Sequence, residues 1–305
     1  MKRAIIWGLA SKAHTHQYIH EGFFETFKAM GWEAAWVDDV PENNSLIKPG
    51  DLVISVDIAS NHLVNHAFAK YVLHNVDRPE LRDHSNVTVL QVYTHSAIGE
   101  SVFGSRCLWD QTNRTLYQPW GIPSQPETWL EPKAQRGTTE FWIGSVWNND
   151  QNQGNADVIS AYSSSLRSHR LRFKHTGGVG YPIPKFLGGA GLFSKTELSE
   201  TEARDLVAKS PIGAAVVGNW QKDHGYVPCR LFKNLAAGQV PASNADFSDI
   251  FGDYSIASDD FDHLIETRMG MSAVKVQNDV RAAQELMREY TYRKSIERIL
   301  SVVAP

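Results

Sequence analysis

The first forty residues place a strand, a helix and a second strand in close succession, and few folds accept that order. The run RAIIWGLA, residues 3–10, is apolar, of strand length and reaches Gly8. A polar loop, SKAHT, follows it, and then a helical pattern from about Thr15 to Met30. Ile19, Phe23, Phe27 and Met30 recur there at three and four residues and form one apolar stripe, and Gly31 closes the pattern. The next run, WEAAWVDD, reads as a strand that ends on Asp38 and Asp39. Two strands joined through a helix pair in parallel, so the chain is expected to build a parallel α/β sheet.

The same alternation continues. Asp51–Ala59 and Val87–Ser96 are further strand candidates, and HLVNHAFAKYVLHNV between them reads as helical. The segment around Pro119, Pro123, Pro126 and Pro132 interrupts the pattern, which places an interdomain connection near Glu131–Thr138. A new apolar strand, EFWIGSVW, begins at Glu140 and a second α/β series follows. A chain of 305 residues with 42% apolar content has room for two ordinary cores. From about Ala273 to Ser301 the chain reads as one long or broken helix, with Val276, Val280, Ala283, Leu286, Met287 and Tyr290 at helical spacing.

The second series carries the motif that says most about function. Ala214–Trp220 is an apolar run of strand length, and HGYVPCRLFKNLAAGQVPASN, residues 224–244, then reads as loop, short helix and buried strand. Pro228 suits the first helical position and Gly238 the left-handed residue after the helix. Leu231 and Leu235 give the apolar stripe, with Arg230 and Lys233 on another face. Val227 cannot cap the start with its side chain, so the first backbone N–H groups need another partner. An anion there would meet the helix dipole, Arg230 and Lys233 together; water and a solvated cationic face are the plainer alternative.

This stretch resembles the donor-sugar-nucleotide motif in the C-terminal half of GT-B glycosyltransferases. The likeness lies in a Tyr-containing loop, a basic residue, an aromatic, a small-residue helix and a Gly before a strand. Those families carry a Glu in or beside the helix, where this chain has Cys229 and Asn234. The opening strand, His-bearing loop, helix and Trp-x-Asp strand are similar to the first unit of many such enzymes. The resemblance implies an α/β fold of two Rossmann-like domains facing a cleft. Residues 1–134 would be the acceptor side and 135–280 the nucleotide-sugar-binding domain, with 281–305 a C-terminal helix crossing back to the first domain. It also implies a transferase that moves a sugar from a nucleotide-diphosphate sugar of UDP or GDP type. Arg230, Lys233 and the helix start would offset the charge of the leaving diphosphate; the chain is read as lacking an Asp-x-Asp, so no metal is expected.

The remaining candidates sit where open α/β sheets bind ligands, at the carboxyl ends of strands. His14, His16 and His20 cluster after the first strand. His16 or His14 would take the acceptor proton in an inverting reaction; His16 and His20, four apart, also suit a metal, and a structural role stands beside both. Asp57 would orient a histidine or touch the acceptor, and His95 would meet the donor sugar; turn or cap roles fit each equally. His224, Gly225 and Tyr226 in the loop, Ser243 and Asn244 after the strand, and Lys174 before a Gly-rich turn complete the donor-side set.

Composition narrows the partners. A net charge of −4 without a long basic run speaks against a nucleic-acid footprint, so a glycan, small molecule or lipid acceptor is favoured over DNA. Two cysteines and no leader-like start suit the cytoplasm, and no apolar run reaches the length of a membrane span. No cofactor beyond the donor is expected. Two rivals share the architecture: another nucleotide-sugar enzyme such as an epimerase, which needs no acceptor, and a noncatalytic protein that binds a phosphorylated ligand.

Overall fold

A computed structural model describes residues 2–11, 17–56, 60–74, 78–93, 106–123, 125–133, 136–144, 146, 154–176, 193–194 and 198–303. The chain divides into two compact units, one of residues 1–124 with 290–305 and one of residues 125–289.

In the first unit, β1 (Arg3–Trp7) pairs in parallel with both β2 (Glu33–Val37) and β3 (Leu52–Ser55), and the crossover from β1 to β2 is α1 (Gln17–Ala29). The sheet continues through β4 (Lys70–His74), β5 (Val87–Gln91) and β7 (Thr115–Tyr117) to the antiparallel edge strand β6 (Leu108–Asp110). Ile19, Phe23 and Phe27 bury the stripe of α1, as its spacing predicts, while Met30 is only half-buried beyond the helix end.

One reading fails here. Over its described residues, 62–74, HLVNHAFAKYVLHNV is not helical: residues 62–69 form turns and irregular chain, and the run then enters the sheet as β4. Tyr71, Val72, Leu73 and His74 are all buried, the signature of a central parallel strand covered on both faces. A short continuous apolar run has no period of its own to tell strand from helix.

The end of the chain closes this unit. After a 3₁₀ turn, α8 (Tyr292–Val303; the helices that precede it are introduced below) lies on α1, and Tyr292 meets Phe23 edge-on at 5.4 Å. The approach is close enough that a Cβ on Gly22 would stand 2.3 Å from the Tyr292 ring. Backbone hydrogen bonds from Ile122 N to the Tyr290 carbonyl and from Tyr292 N to the Ile122 carbonyl fix the entry to α8.

In the second unit β8 (Thr139–Ile143), β9 (Arg172–Thr176) and β10 (Phe193–Ser194) form a parallel sheet, with α2 (Ala156–Ser168) as the first crossover. Trp142, Ile159, Tyr162, Leu166 and Phe173 make its core together with Ile212, Ala214 and Val216. Beyond these come α3 (Glu200–Val207), α4 (Asn219–Asp223), α5 (Cys229–Ala236) and a short parallel pair, β11 (Ala242–Ser243) and β12 (Ile256–Ala257). The helices α6 (Phe261–Gly270) and α7 (Ala273–Met287) complete it. The tail is thus a broken helix: Val276, Val280, Ala283 and Met287 of α7 are buried, whereas Leu286 is exposed.

Candidate functional site

The site is built on a stretch of chain that the sequence reads as a strand and that joins no ladder among the described residues. Residues 211–217 are buried and lie outside any regular strand, with a bend at 211–212 and Gly213 at φ +67°, and Asn219 and Trp220 already belong to α4. Their backbone groups are taken up mostly by side chains. The Glu140 carboxylate accepts from Ile212 N, Gly213 N and Ala214 N at 2.9–3.2 Å, and from the Tyr162 hydroxyl at 2.9 Å. Asn234 donates to the Gly213 carbonyl at 2.7 Å, and Ser243 Oγ to that of Ala215 at 2.9 Å. Asn244 both accepts from Val217 N at 2.8 Å and donates to its carbonyl at 2.9 Å. Burial pushes the Glu140 carboxyl up, and the N–H and O–H donors around it act the other way.

Helix α5 follows. Its N-cap is Pro228, with φ −71° and ψ 134°, one residue before the position expected for it, because Pro228 itself is still extended. No side chain caps this end, and its strongly amphipathic body buries Leu231, Phe232 and Leu235. Gly238, with φ +81°, follows the C-cap as the sequence indicates.

Arg230, in the first turn of α5, reaches the carboxyl end of β8. Its Nε donates to the Ile143 carbonyl at 3.0 Å, and the guanidinium lies 3.8 Å from the centre of the Trp142 ring. Gly144 allows this twice over. Its φ of +135° is rarely open to other residues, and a Cβ there would stand 2.4 Å from a guanidinium nitrogen. His175, at the end of β9, donates from Nε2 to the Gly144 carbonyl at 2.8 Å. Burial lowers its pKa, the hydrogen bond to Gly144 opposes this, and the charge of Arg230 adds to the lowering, so the imidazole is neutral. A cation held over an aromatic ring, a helix start without a side-chain cap and two strand ends make a setting for an anion.

Most of the other donor-side candidates have partners of their own. Lys233 points to Glu200 of α3, 3.7 Å away, and Lys174 is on the exposed face of β9. His224 stacks on Trp220 at 4.2 Å and bonds its carbonyl through Nδ1; with Gly225 and Tyr226 it forms the turn between α4 and α5. Ser243 and Asn244 are buried and occupied with residues 215–217. His175 escaped the sequence reading, which chose Lys174: the two are adjacent in β9, and strand alternation sends one to the core and the other to solvent.

In the first unit, His14, His16, Asp57 and His95 lie outside the described residues. Just before Asp57, two buried histidines flank Val56: His20 Nε2 accepts from its N–H at 3.3 Å and His74 Nδ1 donates to its carbonyl at 3.1 Å. His20 therefore turns inward to the end of β3.

Among the described residues no three His, Cys, Asp or Glu side chains are placed to share a metal, and no helix is long and apolar enough to cross a membrane. The chain does contain one Asp-x-Asp, Asp260–Asp262. Asp260 caps α6 by accepting from Asp262 N and His263 N, and the Asp262 carboxylate meets Ser168 and His169.

No family model and no curated protein matches this sequence. Solved structures do match its fold. An alpha-glucosyltransferase in complex with UDP superposes with a TM-score of 0.67 at 10% identity, covering 100% of both chains, and the same enzyme with UDP and a 13-mer DNA gives 0.67 over 99% of each. The trehalose-6-phosphate synthase OtsA gives 0.59 at 10% identity over 99% of each chain. A mutant of S. aureus TarM, in complex with fondaparinux, alpha-GlcNAc-glycerol and UDP, gives 0.54 at 11% identity; 87% of this chain matches, but it spans only 58% of the TarM chain. The fold is that of the GT-B glycosyltransferases.

Proposed function

We propose that this chain is a glycosyltransferase that moves a sugar from a nucleoside-diphosphate sugar, of UDP or GDP type, to an acceptor hydroxyl. The observation that carries the reading is Arg230, held by Ile143 and Trp142 across the end of β8 at a helix start with no side-chain cap. The structures matched over their full length, an alpha-glucosyltransferase that holds UDP and a trehalose-6-phosphate synthase, support it.

In this reading the diphosphate lies against the first turn of α5. As the glycosidic bond breaks, negative charge passes to the departing phosphate, and Arg230 with the helix N–H groups offsets it without moving. Trp142 and Ile143 keep the guanidinium from swinging away, so little ordering is left to be done at the reacting moment. His175 stays neutral beneath the site and adds no second positive charge. Tyr226, Gly225, His224 and Lys233 border the same helix, and Ser243, Asn244 and Lys174 serve the donor through the chain they support or adjoin. On the other unit His16 or His14 takes the acceptor proton if the reaction inverts, with Asp57 to orient it and His95 at the sugar. The leaving group needs no metal, and the two cysteines, one buried and one half-buried, suit a reducing cytoplasm.

A thermal-shift screen with UDP, GDP and dTDP and their sugars tests the donor, and product analysis with glycan, lipid and DNA acceptors tests the transfer. DNA enters because four of the alpha-glucosyltransferase structures hold it. Turnover without an acceptor would point instead to an epimerase, and a shift with no turnover to a binding protein. Replacing Arg230 by Ala should weaken UDP binding about tenfold or more with little change in melting temperature. Unchanged binding would remove Arg230 from the phosphate site.

A further inference from the structure

Glu140 lies at the start of β8, inside the core, and its environment ties it to the far side of the site. Its two oxygens gather the N–H groups of three successive residues, 212–214, where Gly213 takes φ +67° and the chain leaves strand geometry. Asn234 grips the carbonyls of the same stretch at Gly213 and Ala214 from the other direction. Asn234 is one turn beyond Arg230 on α5, so both side chains leave the same face of that helix. One reaches residues 213–214 and the other reaches Ile143 on β8. The four residues Glu140, Ile143, Arg230 and Asn234 thus close a frame in which residues 212–214 are the link between strand and helix.

We propose that Glu140 is a positioning residue for the anion-binding end of α5, acting through residues 212–214 and Asn234 to keep Arg230 over Trp142. This rests on the nucleotide-binding reading of that helix. Only a group with acceptors on both oxygens can satisfy Ile212 N on Oε2, Ala214 N and Tyr162 on Oε1, and Gly213 N shared between the two. A glutamine of the same shape turns one acceptor into a donor and sets it against backbone N–H groups. The link then shifts, Asn234 follows its carbonyls, and the start of α5 moves with it.

The test uses the whole chain as wild type, Glu140→Gln, Arg230→Ala and the double variant, with UDP and uridine titrated calorimetrically and the Glu140→Gln crystal structure determined. Glu140→Gln should weaken UDP about tenfold and leave uridine unchanged, and in the double variant it should add little to the loss from Arg230→Ala. The crystal structure should show Arg230 off the Ile143 carbonyl. Losses that add, uridine weakening in step with UDP, or Arg230 unmoved would overturn the proposal. Should Glu140→Gln not fold, Tyr162→Phe removes one donor to the same carboxylate and enters the same cycle, with a smaller loss expected and the same criteria. If wild type binds no UDP, the nucleotide reading fails while the position of Arg230 still decides the role of Glu140.

Discussion

The carboxyl ends of the strands in the two units are held by different means. In the first unit, β1, β3, β4 and β5 are bonded on both sides by neighbouring strands, and apolar side chains such as Ile5, Val53, Tyr71 and Leu73 fill the space beneath one face. Each residue there contributes to a ladder that many others share. In the second unit residues 211–217 take the place of a strand, and Glu140 and Asn234 hold residues 212–214 while Ser243 holds Ala215 and Asn244 holds Val217. The difference teaches that an edge pinned by single side chains is both exactingly placed and dependent on each one, whereas a ladder tolerates local change. An unpaired buried polar group costs more than a lost bond contributes, so the pinned edge has more to lose per residue.

The largest effect expected is one of packing in the first unit. Phe23→Ala empties a fully buried site beneath Tyr292 and should cost about 3–5 kcal/mol in urea denaturation, with α1 and α8 loosening together. Next comes Asn244→Ala, which leaves the N–H and carbonyl of Val217 buried with nothing to replace them, at a cost of about 2–3 kcal/mol. Hydrogen exchange should rise at residues 215–217 and stay unchanged in β1, β3 and β4. Exchange that rises in both units alike would erase the contrast between ladder and pins.

A smaller effect depends on pH. The folded chain holds His175 less basic than the unfolded chain, first through burial, so unfolding takes up a proton once the pH falls below the ordinary imidazole value of about 6.5. Stability is therefore unaffected above that point and declines below it, down through the lower folded value. In a His175→Gln variant the decline between about pH 6.5 and 5 should be shallower; an identical slope would mean that other groups carry it. The smallest effect belongs to Lys233→Ala. Its pairing with Glu200 is partly exposed, and its loss should change stability by no more than about 0.5 kcal/mol. UDP binding measured beside Arg230→Ala then separates the two cations of α5.

The sequence made some of this legible and hid the rest for identifiable reasons. The stripe of Ile19, Phe23 and Phe27 was plain because one face of α1 is buried and period shows. Likewise Gly238 marked the end of α5, since its backbone needs a conformation that glycine supplies. By contrast, β4 was hidden because both of its faces are buried, and Ala214–Trp220 looked like a strand because it is as apolar as one. What distinguishes that stretch is the set of polar side chains that serve it, and these stand at 140, 234, 243 and 244, too scattered to form a pattern. His175 differs from the candidate Lys174 by one step of strand alternation, and Arg230 drew notice because a basic residue in the first turn of an uncapped helix has a local signature.

The return of the chain to the first unit at Tyr290 also bears on how the protein is made. Helix α8 covers Phe23 and Gly22, yet a ribosome delivers it only after the whole of residues 125–289 has emerged. A nascent first unit can lay down β1 to β5 early but leaves Phe23 and Gly22 of α1 uncovered until residues 290–303 emerge. The second unit, contiguous in sequence, can complete its fold in the meantime, so the order of maturation runs opposite to the order of translation, and the window for misassociation lies on the part of the protein that was born first.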